Sequence, residues 1–344
     1  MPEFTDEMFF GKDINSMNDP FIYLREALLE KGYELKTSEN NSLDNCEWVL
    51  FMNSKSNNQI AGGKWNLKNN IKKLLGIQDP SKKFRNLYQE CAEKNFKNIA
   101  LFLWEPEAVN PVSYAKDYLD KFKIVFTWND DLVDNKKFFK FFLPYPRKKP
   151  YEKLVPFSEK KLLTNITANK ISKVKNELYS ERRKSIEYFD KHYPNDFDLY
   201  GVRWNKPSTL LENIFPQLTK KFQCFKGHAA DKLETFSRYK FALCYENMSG
   251  LKGFVTEKIF DCMLAGCVPV YWGAENIEKY IDADVYVDRR KFKDNQELAD
   301  FLFGISEEKY GKHLSAIGNF ILGDKYRMFL PDNFSKIIIN TLKL

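Results

Sequence analysis

Short apolar runs alternate with longer segments whose apolar residues recur at helical spacing. Residues 21–31 carry the helical pattern and end at Gly32. Residues 48–52 are a brief apolar run of the kind that forms a buried strand. A helical pattern over 84–94, a strand over 99–103 and a strand over 124–127 follow. The alternation predicts a parallel sheet with helices on both faces. Residues 141–156 interrupt it with four prolines and a basic cluster, a composition suited to a linker. Beyond it the pattern resumes. Strands are predicted over 162–166, 197–200, 240–245, 268–271 and 285–287, and helices over 176–192, 231–237, 256–265, 275–280 and 295–303. The expectation is two α/β domains, residues 1–155 and 156–344.

Composition agrees with a folded chain. The 344 residues include 30 Phe, 18 Tyr and 6 Trp, and 43% are hydrophobic, enough for two cores. The net charge of +7 arises from 54 basic and 47 acidic residues mixed along the chain, a pattern that a Lys-rich solvated surface explains. No Arg-rich block or base-reading signature points to nucleic acid. The six cysteines form no CxxC pair, and Cys244, Cys262 and Cys267 lie in apolar surroundings, as buried thiols of a reducing compartment do. Three histidines argue against a Cys/His zinc cage. The first 19 residues lack a signal-peptide core, and no uncharged run approaches the ~20 residues of a membrane helix. The expectation is a cytoplasmic protein, with peripheral contact to the inner face of the membrane left open.

The chemistry concentrates in residues 239–273. A strand ends in Glu246-Asn247, a loop with Gly250 and Gly253 follows, and Thr256 stands where it would cap a helix starting at Glu257-Lys258. Strand, glycine-bearing loop and helix N-terminus make an anion site. A lysine in the first turn of a helix is slightly unfavourable by itself, by ~0.3–1 kcal/mol, and a bound diphosphate would reverse that cost. A solvated lysine tolerating a small cost is the plainer reading.

Glu246-Asn247, then Phe254-Val255-Thr256-Glu257-Lys258-Ile259, then Gly266 to Gly273 resemble the donor-binding motif of the α-1,3/4-fucosyltransferases (glycosyltransferase family 10), with the internal spacing kept. Weaker likeness runs from about residue 99 to 302. The resemblance implies a GT-B fold of two Rossmann-like domains facing a cleft, an inverting mechanism and GDP-fucose as donor. It implies that Glu257 bonds the ribose, that Lys258 contacts the phosphates and that Asn247 faces the phosphate or fucose end. Val255 and Thr256 lie within the same donor-binding run, and Phe254 holds an aromatic position where relatives often carry Tyr. It also implies a diphosphate-binding arginine on the helix 176–192: Arg182 by its spacing to Ile186 and Phe189, with Arg183 the alternative. Arginine suits the task because its planar fork meets phosphate oxygens in pairs.

Inverting transfer needs a base for the acceptor hydroxyl. Trp104-Glu105-Pro106-Glu107 follows the strand 99–103, and carboxyl ends of parallel strands line ligand clefts. Glu105 is the first candidate and Glu107 the second, with two solvated loop carboxylates as the plainer alternative. Asp196-Phe197-Asp198 and Asp282-Ala283-Asp284 have the DxD form of metal-dependent transferases, but neither lies at the loop–helix element, so no metal is expected. The leaving GDP would instead be stabilised by Lys258, Arg182 and helix N–H groups. Asn247-Met248-Ser249 has the form of a glycosylation acceptor inside the donor site, where a glycan would block GDP-fucose; this too favours the cytoplasm. The resemblance suggests an oligosaccharide acceptor, the GlcNAc of an N-acetyllactosamine-type glycan, joined α-1,3. Other nucleotide sugars, or a non-catalytic carbohydrate-binding protein, are the rivals.

Overall fold

The computed structural model describes residues 6–9, 17–38, 41–52, 85–153, 155–207, 211, 214–215, 217 and 219–344. Most of the N-terminal segment read for a signal, and the start of the helix expected from residue 84, lie outside these. In chain order the main elements of the first lobe are α1 (Asp19–Leu29), β1 (Val49–Met52), α2 (Leu87–Glu93), β2 (Ile99–Leu103), α3 (Lys116–Leu119), β3 (Ile124–Thr127) and β4 (Phe138–Lys140). The second lobe has β5 (Lys161–Ile166), α4 (Tyr179–His192), β6 (Phe197–Tyr200), α5 (Lys232–Ser237), β7 (Tyr239–Tyr245), α6 (Glu257–Leu264), β8 (Val268–Trp272) and β9 (Val287–Asp288). Helices α7 (Asn295–Gly304), α8 (Glu307–Leu322), α9 (Asp324–Arg327) and α10 (Pro331–Leu342) complete the chain.

Both sheets are parallel throughout, as expected for a GT-B arrangement. The first has the order β1-β2-β3-β4 and the second β6-β5-β7-β8-β9. The central strands β2 and β3 are buried along their whole length, which explains their unbroken apolar runs. In the second sheet the chain steps from β5 to β6 on one side and then returns to β7 on the other. That reversal is a topological switch point, where ligands of open α/β sheets bind beyond the carboxyl ends of the strands.

Several boundaries differ from the sequence reading for visible reasons. Helix α4 begins at Tyr179, not 176, because the preceding residues pair with the loop after β7: Leu178 N–H donates to Asn247 O and Ser249 N–H to Asn176 O. The helix expected over 275–280 is a 3-10 turn, Ile277–Lys279. The last helix crosses between the lobes. Phe334, Ile338, Ile339 and Leu342 of α10 pack with Leu24 and Leu28 of α1 and with Phe102 and Phe126 of the first sheet. A division at residue 155 would leave α10 in the second domain, yet its apolar face completes the core of the first.

Loops at the carboxyl ends of both sheets meet. Trp128, just past β3, packs its ring 4.6 Å from Phe254. Asp130 binds Lys140 within its own lobe at 2.7 Å and accepts from Asn276 of the second at 2.8 Å and from the Tyr280 hydroxyl. Gly253 has φ +82°, and an added Cβ would lie 2.4 Å from Trp128 O, so this junction requires glycine.

Candidate active site at the switch point

Arg182 sits on the switch point. Its guanidinium donates to Thr167 Oγ1 beyond β5 at 2.8 Å, to Glu246 O beyond β7 at 2.9 Å and to Tyr245 O. The ring of Tyr179, one helical turn earlier, lies 5.6 Å from the guanidinium carbon. Burial pushes the Arg182 pKa down, with Tyr179 and Glu246 opposing. Arg183, next along α4, pairs with Glu187 at 3.0 Å and Asn169 Oδ1 at 3.3 Å. The two arginines therefore have separate surroundings, and Arg182 is the one joined to the end of β7.

The start of α6 differs from the expected bare anion site. Thr256 occupies the N-cap position but its hydroxyl makes no capping bond. The hydroxyl turns instead to the carboxylate of Glu246, 2.8 and 3.0 Å away, and Thr256 N–H donates to the same group at 2.9 Å. Lys258 Nζ donates to Glu246 Oε2 at 3.0 Å and to Thr256 Oγ1 at 2.9 Å. A fully buried acid thus supplies the anion that the helix terminus and Lys258 require. The sequence reading places Glu246 at a strand end and in the run that resembles the donor-binding motif, without a role of its own; a Glu closing an apolar strand twelve residues before Lys258 is the signal that its charge needs a partner.

Burial works against the Lys258 ammonium, but Glu246 and Glu257 outweigh it and raise its pKa. Burial likewise favours the neutral Glu257 carboxyl, while Lys258 and Lys232 hold it below its ordinary value. Glu257, with 35% of its side chain exposed, remains reachable by a polar ligand. Asn247 is half-buried, its carbonyl spent on Leu178 N–H. Phe254 and Val255 are each 1% exposed. The Phe254 ring fills the lobe interface against Trp128. Val255 packs in the core of the second lobe.

A cavity of about 290 Å³ opens between the lobes, walled by Ala108 and Val109 on one side and by Asn169, Tyr179 and Arg203 on the other. Arg203 holds a left-handed backbone, φ 68°, and Tyr179 roots the wall in α4; neither was singled out in the sequence. Gly201 lies where an added Cβ would strike Thr167 O at 1.9 Å, so strand-end packing beside this wall tolerates no side chain. Glu105 follows β2 and is partly buried, while Glu107 is exposed. Tyr114 donates to Glu105 O at 2.8 Å, fixing the loop. Burial raises the Tyr179 phenol, Arg182 and Lys258 pull it down, and Glu105 pushes it up, so Tyr179 senses both the cations and Glu105. Ala108 N–H reaches Met248 Sδ at 3.2 Å, bringing the Glu105 loop against the loop after β7.

The DxD-like pairs lie apart from this cluster. Asp198 pairs with Lys161 at 2.8 Å and accepts from Tyr239 Oη at 2.6 Å. Asp282 pairs with Lys325, and both aspartates of its pair line a separate hollow with Asn319 and Asp324. Among the described residues no group of three or more His, Cys, Asp and Glu side chains is placed to hold a metal.

Residues 160–315 match the family model described as glycosyltransferase family 10 (fucosyltransferase) C-term. The chain is 39% identical over 72 residues to an α-(1,3)-fucosyltransferase FucT of Helicobacter pylori, covering 21% of this chain and 15% of that protein. It is 42% identical over 109 residues to 4-galactosyl-N-acetylglucosaminide 3-α-L-fucosyltransferase 9 of Mus musculus, covering 29% and 30%. The matched segments thus span less than a third of those relatives. A crystal structure of an α1,3-fucosyltransferase superposes with a TM-score of 0.49 at 17% identity, over 76% of this chain and 77% of that one. The Arg182 and Lys258 cluster lies within residues 160–315, the part of the chain that is similar to the fucosyltransferase family model.

Proposed function

We propose that this chain is an inverting glycosyltransferase that moves fucose from GDP-fucose to a hydroxyl of an oligosaccharide, joining it α-1,3 to the GlcNAc of an N-acetyllactosamine-type glycan. The observation that carries the reading is the pairing of Arg182 and Lys258 beside the switch point, within the family 10 domain. Two cations held by buried bonds suit a diphosphate whose charge grows as it leaves.

In the reaction the acceptor oxygen attacks C1 of fucose from the face opposite GDP. The C1–O bond to the β-phosphate breaks, and the electron pair leaves with GDP. Glu105 takes the acceptor proton; Glu107 is its alternative. Lys258 and Arg182 balance the charge on the diphosphate, and Glu257 accepts hydrogen bonds from the ribose. No metal enters this scheme, and turnover is expected to survive EDTA. The cytoplasm, with peripheral contact to the inner membrane face, is the setting we propose. Among the described residues no helix is long and apolar enough to cross a membrane.

The test is calorimetric titration with GDP, UDP and ADP, repeated with Lys258→Ala. Preferential binding of GDP, weakened roughly 10²–10³-fold by the substitution, is the expected result. Preference for UDP would favour a transferase for another sugar nucleotide. Binding of none of the three would favour a carbohydrate-binding role.

A further inference from the structure

Glu246 touches both cations of the site. Its carbonyl accepts from Arg182 at 2.9 Å and its carboxylate from Lys258 at 3.0 Å. The side chain is fully buried, and Gly273 closes against it: an added Cβ there would lie 2.4 Å from Glu246 Cγ. Its two oxygens, the Thr256 hydroxyl and the Lys258 ammonium form a closed triangle of hydrogen bonds. The Thr256 hydroxyl has one hydrogen, which goes to Glu246, so it serves Lys258 as an acceptor. An ammonium has three N–H groups. Two are thereby spent inside the protein, while 27% of the Lys258 side chain stays exposed.

We propose that Glu246 is a positioning residue for the transfer: it fixes the Lys258 ammonium so that the third N–H is presented to the leaving diphosphate. The inference rests on the reading of this cluster as a diphosphate site. A free lysine samples many rotamers and loses up to about 2 kcal/mol of side-chain entropy on being fixed. Glu246 makes that loss part of folding, so it need not recur at binding. It also keeps the ammonium charged in a buried setting. The charges around Lys258 are Glu246 and Glu257, which favour its protonated form, and Arg182, which opposes it; Lys232 of α5, a like charge, and the Tyr179 phenol also lie within electrostatic reach.

The experiment compares Glu246→Gln with the unaltered protein in GDP calorimetry and in the pH profile of kcat/KM. Gln keeps the shape and removes the charge. GDP affinity should fall about 10–100-fold, the worth of a hydrogen bond to a charged group. The alkaline limb of the profile should move to lower pH, because Lys258 loses its nearest anion. Glu246→Gln combined with Lys258→Met should bind GDP no more weakly than Lys258→Met alone, since both act through one ammonium. Unchanged affinity with an unmoved alkaline limb would overturn the proposal, as would losses that multiply in the double variant. If Glu246→Gln does not fold, Thr256→Ser and Thr256→Val replace it: Ser should keep GDP affinity and Val lose it, and equal affinities overturn the proposal. Failure of the unaltered protein to bind GDP would instead remove the underlying reading, and the proposal with it.

Discussion

The two lobes meet across one cavity but are built to different standards of closure. In the second lobe Arg182, Glu246, Thr256 and Lys258 form one bonded network, and every member is held by at least two partners. The first lobe offers Glu105 on a loop anchored by a Tyr114 bond, and it borrows α10 from the end of the chain to complete its core. Under the proposed function, the contrast assigns the two halves of the transfer to different lobes. A diphosphate is a fixed, highly charged object, and a rigid site suits it. An acceptor sugar must be admitted, positioned and released, and a loop surface suits that.

The largest effect expected from breaking this contrast is on the first lobe's contribution. Glu105→Gln keeps the shape and removes the proton acceptor, so turnover should fall about 10²–10⁴-fold. GDP affinity should barely change, because the proposed donor contacts are in the other lobe. Glu107→Gln should be milder; steady-state kinetics with calorimetry separates the two. A reversed order would exchange their roles.

The borrowed helix gives the next effect. Phe334→Ala empties a side chain that lies against Phe21, Phe102, Trp104 and Phe141. It should cost about 3–5 kcal/mol of stability, as Phe-to-Ala changes in cores do. Thermal unfolding with one probe in each lobe would show the first lobe melting earlier. Unaltered melting would mean that α10 is dispensable to the first core.

The smallest effect concerns the lobe junction. Burial tends to raise the Asp130 carboxyl, but bonds from Lys140, Tyr280 and Asn276 hold it down to about 2, against an ordinary 3.8. A depressed acid stabilises the fold above its unfolded pKa, and that contribution fades as pH falls from about 4 towards 2. Asp130→Asn should therefore lower stability at pH 7 and flatten its decline over that acid window, as read by urea unfolding at several pH values. An equally steep decline would assign the acid sensitivity to other carboxylates.

How much of this was legible in the sequence follows the same division. The strand–loop–helix of residues 239–273 could be read because its apolar strand, glycines and helix stop are local signals. The partners of Lys258 and Thr256 could not, because Glu246 meets them only once β7 and α6 pack. Nor could the ring partner of Phe254, because Trp128 lies 126 positions earlier, in the other lobe. Strand β4 is three half-buried residues beside two lysines, too short to show a period. The final helices were not read at all. Even with the apolar spacing of Phe334, Ile338 and Leu342 noticed, nothing in the sequence says which sheet that face would cover.

The central claim is that the second lobe holds GDP-fucose while the first presents the acceptor for inversion. It is tested most directly by NMR of the product formed from GDP-β-fucose and N-acetyllactosamine in the presence of EDTA. The account predicts fucose joined α-1,3 to GlcNAc. A β-linked product, or transfer from another nucleotide sugar but not from GDP-fucose, would contradict it.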